Sequence, residues 1–147
     1  MKTGKMLLTF GFCLLSLWFV PAAAMALPIT KQPATEIHVS LGDRDGALKF
    51  VPEQLLFVAG QRYQLWLDNP SPQKHYFTAK DFADASWTQK LEAGNVEVKG
   101  AIHEVELKPE AEAQWVLVPL RSGIYELHCS IPGHAEAGMI GTIIVTD

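Results

Sequence analysis

From residue 36 onward the chain repeats one pattern, in which apolar and polar residues alternate in short runs that stop at Gly, Pro, Asn or Asp. Alternation with period two sends successive side chains to opposite faces, which is the signature of a half-buried strand. Residues 36–41 follow it, residues 42–46 form a turn, and residues 47–51 begin a second half-buried strand that Pro52 ends. Residues 53–58 and 61–67 read as two strands of a hairpin with Ala59-Gly60 at its corner, which puts Tyr63, Leu65 and Leu67 on one inner face. A short strand covers residues 76–78. Residues 81–91 read as one helix with Asp81 near its start. Phe82 and Trp87 would then cover the edge of the fold. Residues 96–107 alternate again, residues 114–120 form an apolar strand, and residues 121–123 turn into a strand over 123–129. In that strand Tyr125, Leu127 and Cys129 share one face while His128 points the other way. Many short strands with turn punctuation and one short helix between them predict an all-β fold, an antiparallel β-sandwich.

The first 35 residues break the pattern. Residues 1–26 carry Lys2 and Lys5, an apolar run over 6–20, then small residues ending in Ala24 and Ala26. The run is shorter than the roughly 20 residues a spanning helix needs, so the segment reads as a secretory signal cleaved after Ala26, the alternative being a retained N-terminal anchor. Residues 27–35 read as a flexible lead-in and residues 36–147 as one domain. Cleavage removes two Lys and no acid, so the formal net charge of −4 becomes −6. That balance argues against nucleic acid and anionic lipid as partners, and weakly for a basic protein. Of the two cysteines, Cys13 leaves with the signal and Cys129 has no disulfide partner. A lone thiol in a periplasmic or secreted protein is a hazard unless it is a ligand.

The chemistry concentrates near the C-terminus. Cys129, His134 and Met139 are spaced five residues apart in turn, so one loop can bring a thiolate, an imidazole and a thioether to one point. Sulfur donors suit Cu(I) and imidazole suits both copper oxidation states; two His and a Cys with a weak axial Met form the blue-copper arrangement. Pro132-Gly133 supplies a type II turn inside the loop. The second imidazole must come from elsewhere, and His75 is the candidate, because it follows a strand-like run that ends in a Pro-rich turn. The competitor is His103, which shares parity with Val105 and Leu107 and reads as a core histidine. His38 reads as outward-facing.

Residues 125–141, with Cys129, His134 and Met139 in this spacing, resemble the copper loop of the rusticyanin and sulfocyanin group of cupredoxins, the plastocyanin/azurin-like blue copper proteins. The resemblance covers about residues 36–147. It implies a Greek-key sandwich holding one copper ion on His75, Cys129, His134 and Met139, an exported monomeric electron carrier with redox proteins as partners, and no catalytic residues. It also implies that His134 presents its ring edge through an apolar patch including Ile131 and Pro132. One position departs from the family: many relatives have Asn or Ser after the first His ligand, tying the two ligand loops together, and here it is Tyr76. Its backbone N–H can still reach the Cys129 sulfur. A periplasmic copper carrier or store that delivers the ion to an oxidase is the alternative function. A multicopper oxidase is excluded, since its trinuclear cluster needs His on both sides of the Cys and many more, whereas residue 130 is Ser and the chain has five His.

Overall fold

The computed structural model describes residues 27–147, so the signal or anchor reading of residues 1–26 lies outside the described residues. A 3-10 turn at Ile29–Lys31 leads into β1 (Thr35–Leu41), β2 (Phe50–Val51), β3 (Gln54–Val58), β4 (Tyr63–Asp68) and β5 (His75–Thr78). A single-turn helix α1 (Lys80–Asp84) follows, then β6 (Ser86–Ala93), β7 (Val96–Val98), β8 (Glu104–Leu107), β9 (Glu112–Pro119), β10 (Gly123–His128) and β11 (Ile140–Thr146). They form two sheets, β2-β1-β4-β9-β6-β7 and β3-β11-β10-β5-β8. The fold is the expected Greek-key sandwich. It is antiparallel except for one parallel pair in each sheet, β1 with β4 and β3 with β11.

Period two in the sequence becomes inside and outside in the structure. Along β4 the side chains of Tyr63, Leu65 and Leu67 are buried between the sheets, while Gln64, Trp66 and Asp68 are half-buried on the outer face. On the outer face His38 of β1 stacks on Trp66, ring planes 6° apart. Trp115 on β9 anchors the interior, meeting Phe77 and Phe82 edge-on at centroid distances of 6.1 and 6.2 Å. Its indole N–H donates to Thr88 Oγ1 at 3.1 Å, so a large aromatic surface is buried without orphaning its polar atom. At the start of β10 the Tyr125 hydroxyl donates back to the Arg121 carbonyl at 2.8 Å, pinning the turn that feeds the Cys129 strand.

Five expectations are corrected. Residues 81–91 are not one helix: α1 ends at Asp84 and the remainder is β6, paired with β9. Phe82 lies in the core and only Trp87 is exposed at the edge. Residues 53–58 and 61–67 are strands but no hairpin, because β3 and β4 belong to different sheets. The corner is fastened to both, with Ala59 N–H donating to the Thr146 carbonyl in one sheet and Gly60 N–H to Pro119 in the other. Residues 96–107 are likewise two strands in different sheets, separated by residues 99–103, and only Phe50–Val51 of the run 47–51 pairs as a strand.

Candidate metal centre

β10 and β11 are antiparallel partners through six register pairs ending at His128 with Ile140, so residues 129–139 are the connection of a long hairpin. Backbone hydrogen bonds wind that connection tightly. His134 N–H donates to the Ile131 carbonyl at 3.0 Å across Pro132-Gly133, and Gly133 has φ +85°, as the third residue of a type II turn requires. Met139 N–H donates to the His134 carbonyl at 2.9 Å and Cys129 N–H to the Met139 carbonyl at 3.1 Å. Met139 is thus the link, its backbone bonded to that of Cys129 on one side and that of His134 on the other. Cys129 and Met139 are buried, and His134 is half-buried.

His75 arrives from the first residue of β5, fully buried. Its Nδ1 lies 3.9 Å from Cys129 Sγ, and His134 Nδ1 lies 3.5 Å from the same sulfur. The three donor atoms all fall within 4.8 Å of one another, and no other group of three or more His, Cys, Asp or Glu donors does so among the described residues. Three donors placed around one ion in a plane, on transition-metal bonds to nitrogen and sulfur, sit about 3.6–3.8 Å apart. The observed spacing fits a metal, and a thiolate with two imidazoles and a buried thioether fits copper among metals.

The support behind His75 was not read from the sequence. Its Nε2 lies 3.1 Å from Ser71 Oγ, a buried hydroxyl that also accepts from Gln73 N–H at 3.4 Å. With Nε2–H donating to Ser71, the Nδ1 lone pair faces Cys129, which is the tautomer a metal ligand needs. Ser71 is itself held: its N–H donates to Asn69 Oδ1, and the Asn69 amide donates to the Gln73 and Leu107 carbonyls. The turn after β1 closes over the pair. A Cβ at Gly42 would stand 3.0 Å from Ser71 Cβ and 3.1 Å from His75 Nε2, so glycine lets the backbone approach the imidazole. Burial, then the neighbouring His134, holds the His75 imidazolium pKa below its ordinary value, which favours the neutral ring.

Tyr76 N–H donates to Cys129 Sγ at 3.4 Å, as the sequence allows. Its side chain turns away and donates to the Glu106 carboxylate, beneath the Lys74 ammonium. His103 is not a core histidine. It is exposed, because β8 begins one residue later and strand parity does not extend to it, and its Nε2 lies 2.7 Å from Asp84 Oδ1. His128 is half-buried, its Nδ1 2.9 Å from Glu126 Oε1 without forming a hydrogen bond.

Comparison with known proteins agrees with this chemistry. A search of the curated proteins finds no match. Among solved structures, dithionite-reduced auracyanin from the photosynthetic bacterium Roseiflexus castenholzii superposes at a TM-score of 0.57 and 18% identity, covering 79% of this chain and all of that one. Auracyanin B superposes at 0.55 and 20% identity, over 80% of this chain and 92% of that one. A variant of the McoA multicopper oxidase from Aquifex aeolicus gives 0.63 and 19% identity, but this chain spans only 32% of it. At these identities the likeness is one of fold. The family model of copper binding proteins of the plastocyanin/azurin family matches residues 37–146. The chain therefore belongs to the plastocyanin/azurin family of copper-binding proteins.

Proposed function

We propose that this protein is an exported blue copper protein that carries single electrons between redox partners. The observation that carries the reading is the convergence of His75, Cys129 and His134 donor atoms within 4.8 Å, from the start of β5 and the connection between β10 and β11 of one sandwich. Copper held there would accept and release one electron, alternating between Cu(II) and Cu(I). His75, Cys129 and His134 would hold the ion as its strong donors, and Met139 would add a weak thioether contact that tunes the potential. Ser71 orients His75, and Tyr76 N–H stabilises the thiolate. The half-buried His134, with Ile131 and Pro132 beside it, is the electron exit. The Cys-to-His spacing of the loop resembles that of the rusticyanin and sulfocyanin group, which supports the reading. The protein is not an enzyme on this reading: Ser130 and the scarcity of His supply no second copper cluster, although multicopper oxidases share the fold. The N-terminal pattern of residues 1–26 and the unpaired Cys129 support a periplasmic or secreted location.

The test is optical. Protein given one equivalent of Cu(II) is expected to show an intense visible thiolate-to-copper band that Cys129→Ser and His75→Ala abolish and His103→Ala leaves in place. A band that survives Cys129→Ser sinks the assignment. Loss with His103→Ala but not His75→Ala moves the second imidazole.

A further inference from the structure

The strands that carry His75 and Cys129 are weakly joined to each other. β5 meets β10 through a single register pair, Thr78 with His128, whereas β10 meets β11 through six and β5 meets β8 through four. Cys129 and Ser130 lie beyond the end of β10, so no ladder fixes them against β5. Tyr76 does not tie them through its side chain, which is engaged by Glu106 and Lys74 on its own side. The fastening comes from the neighbouring strand. Glu104, the first residue of β8, places one carboxylate oxygen, Oε2, where it accepts from Thr78 Oγ1 at 2.8 Å and from Ser130 Oγ at 2.6 Å. Thr78 belongs to the strand of His75, and Ser130 directly follows Cys129.

We infer that Glu104 is a positioning residue of the metal centre, a clasp whose single oxygen fixes the separation of the two ligand-bearing segments. One acceptor oxygen serves both hydroxyls at once, and both hydroxyls have short side chains with little rotamer freedom to lose. The clasp is exposed, so its effect is on the spacing of the donors more than on global stability. It replaces, from a third strand, the tie that an Asn or Ser at position 76 would make.

The experiment compares Glu104→Gln with Glu104→Ala in the otherwise intact chain, with Cu(II) as the probe. Gln keeps an acceptor oxygen at the same reach and loses only the charge, so it is expected to preserve the position and intensity of the visible band and the copper affinity. Ala removes the acceptor and is expected to shift the band and weaken copper affinity about 10-fold, the scale of losing an outer-shell partner. In metal-free protein the Tyr76 amide, which donates to Cys129 Sγ, should exchange with solvent faster in Glu104→Ala and at the wild-type rate in Glu104→Gln. Wild-type behaviour of Glu104→Ala overturns the clasp, and so does equal disturbance in both variants, which would mean that charge alone matters. The copper readouts rest on the blue-copper reading. If wild-type protein develops no band with Cu(II), that reading fails, and the Tyr76 exchange rates decide the clasp by themselves.

Discussion

Ser71 offers His75 Nε2 a partner inside a volume closed to water, and both residues are fully buried. Ser71→Ala therefore strands a buried ring nitrogen, which costs about 1–3 kcal/mol. The expected outcome is a lower urea midpoint for the metal-free protein, together with weaker copper binding; an unchanged midpoint would mean that another group takes the proton. Met139→Leu keeps the volume and removes the sulfur, and it is expected to retain the intense colour while raising the reduction potential measured by titration, because the more highly charged oxidised ion loses more than the reduced one when a donor, even a weak one, is taken away. The candidate ligands of the loop were legible because Cys129, His134 and Met139 are close in sequence and chemically rare. Ser71 and Gly42 were not. A small polar residue in a Pro-rich turn looks like any loop residue, and Gly42 meets His75 only through a tertiary approach that no local pattern encodes.

Strands were read correctly wherever burial kept period two, as in β1, β4 and β10. β6 was misread for a definable reason. Its ladder with β9 shifts register between Thr88 and Lys90, a β-bulge, and the inserted residue separates the buried Thr88 and Leu91 by three. A three-residue spacing is the mark of a helix face, and Ala83, Ala85 and Lys90 around it do not resist helix. The β3-to-β4 error has another source: a short corner looks the same whether the chain folds back within a sheet or steps across to the other. The parallel contact of β3 with β11 also leaves little room at Gly141, where a Cβ would sit 2.7 Å from the Glu53 carbonyl. Gly141→Ala must displace backbone and is expected to destabilise by about 1–3 kcal/mol, the scale of overpacking, read from urea unfolding. In the turn after β1, Asp43 Oδ1 accepts from the N–H groups of Asp45 and Ala47. The Ala47 N–H, then the Lys49 ammonium, hold the Asp43 pKa below its ordinary 3.8. A carboxyl depressed in the folded state contributes stability above about 3.8 that is lost as pH falls through its folded value. Asp43→Asn should flatten the pH dependence of stability below pH 3.8 and leave its slope above pH 5 unchanged.

Across the whole molecule, a formal charge of −4 sets the long-range behaviour. Electron exchange with a cationic mediator is expected to slow as salt rises, and exchange with an anionic one to quicken, because screening removes attraction in the first case and repulsion in the second. Repeated reduction and reoxidation against a Cu(I) chelator should leave the copper in place, since donors anchored to a packed sandwich are preorganised for both oxidation states; copper lost at each reduction would favour delivery over electron transfer. The hairpin that spans residues 129–139 bears on how the protein is made. Three donors lie inside that connection, while His75 is 54 residues from Cys129. Closing the longer span costs about 1.5 kcal/mol more than closing ten residues. An unfolded chain thus already owns a local chelate, and copper that binds it stabilises the folded state by less than its final affinity implies. Metal capture can come first and folding second, so a chain refolding in the presence of Cu(I) should bind the ion before its sheets form, with His75 the last donor to arrive.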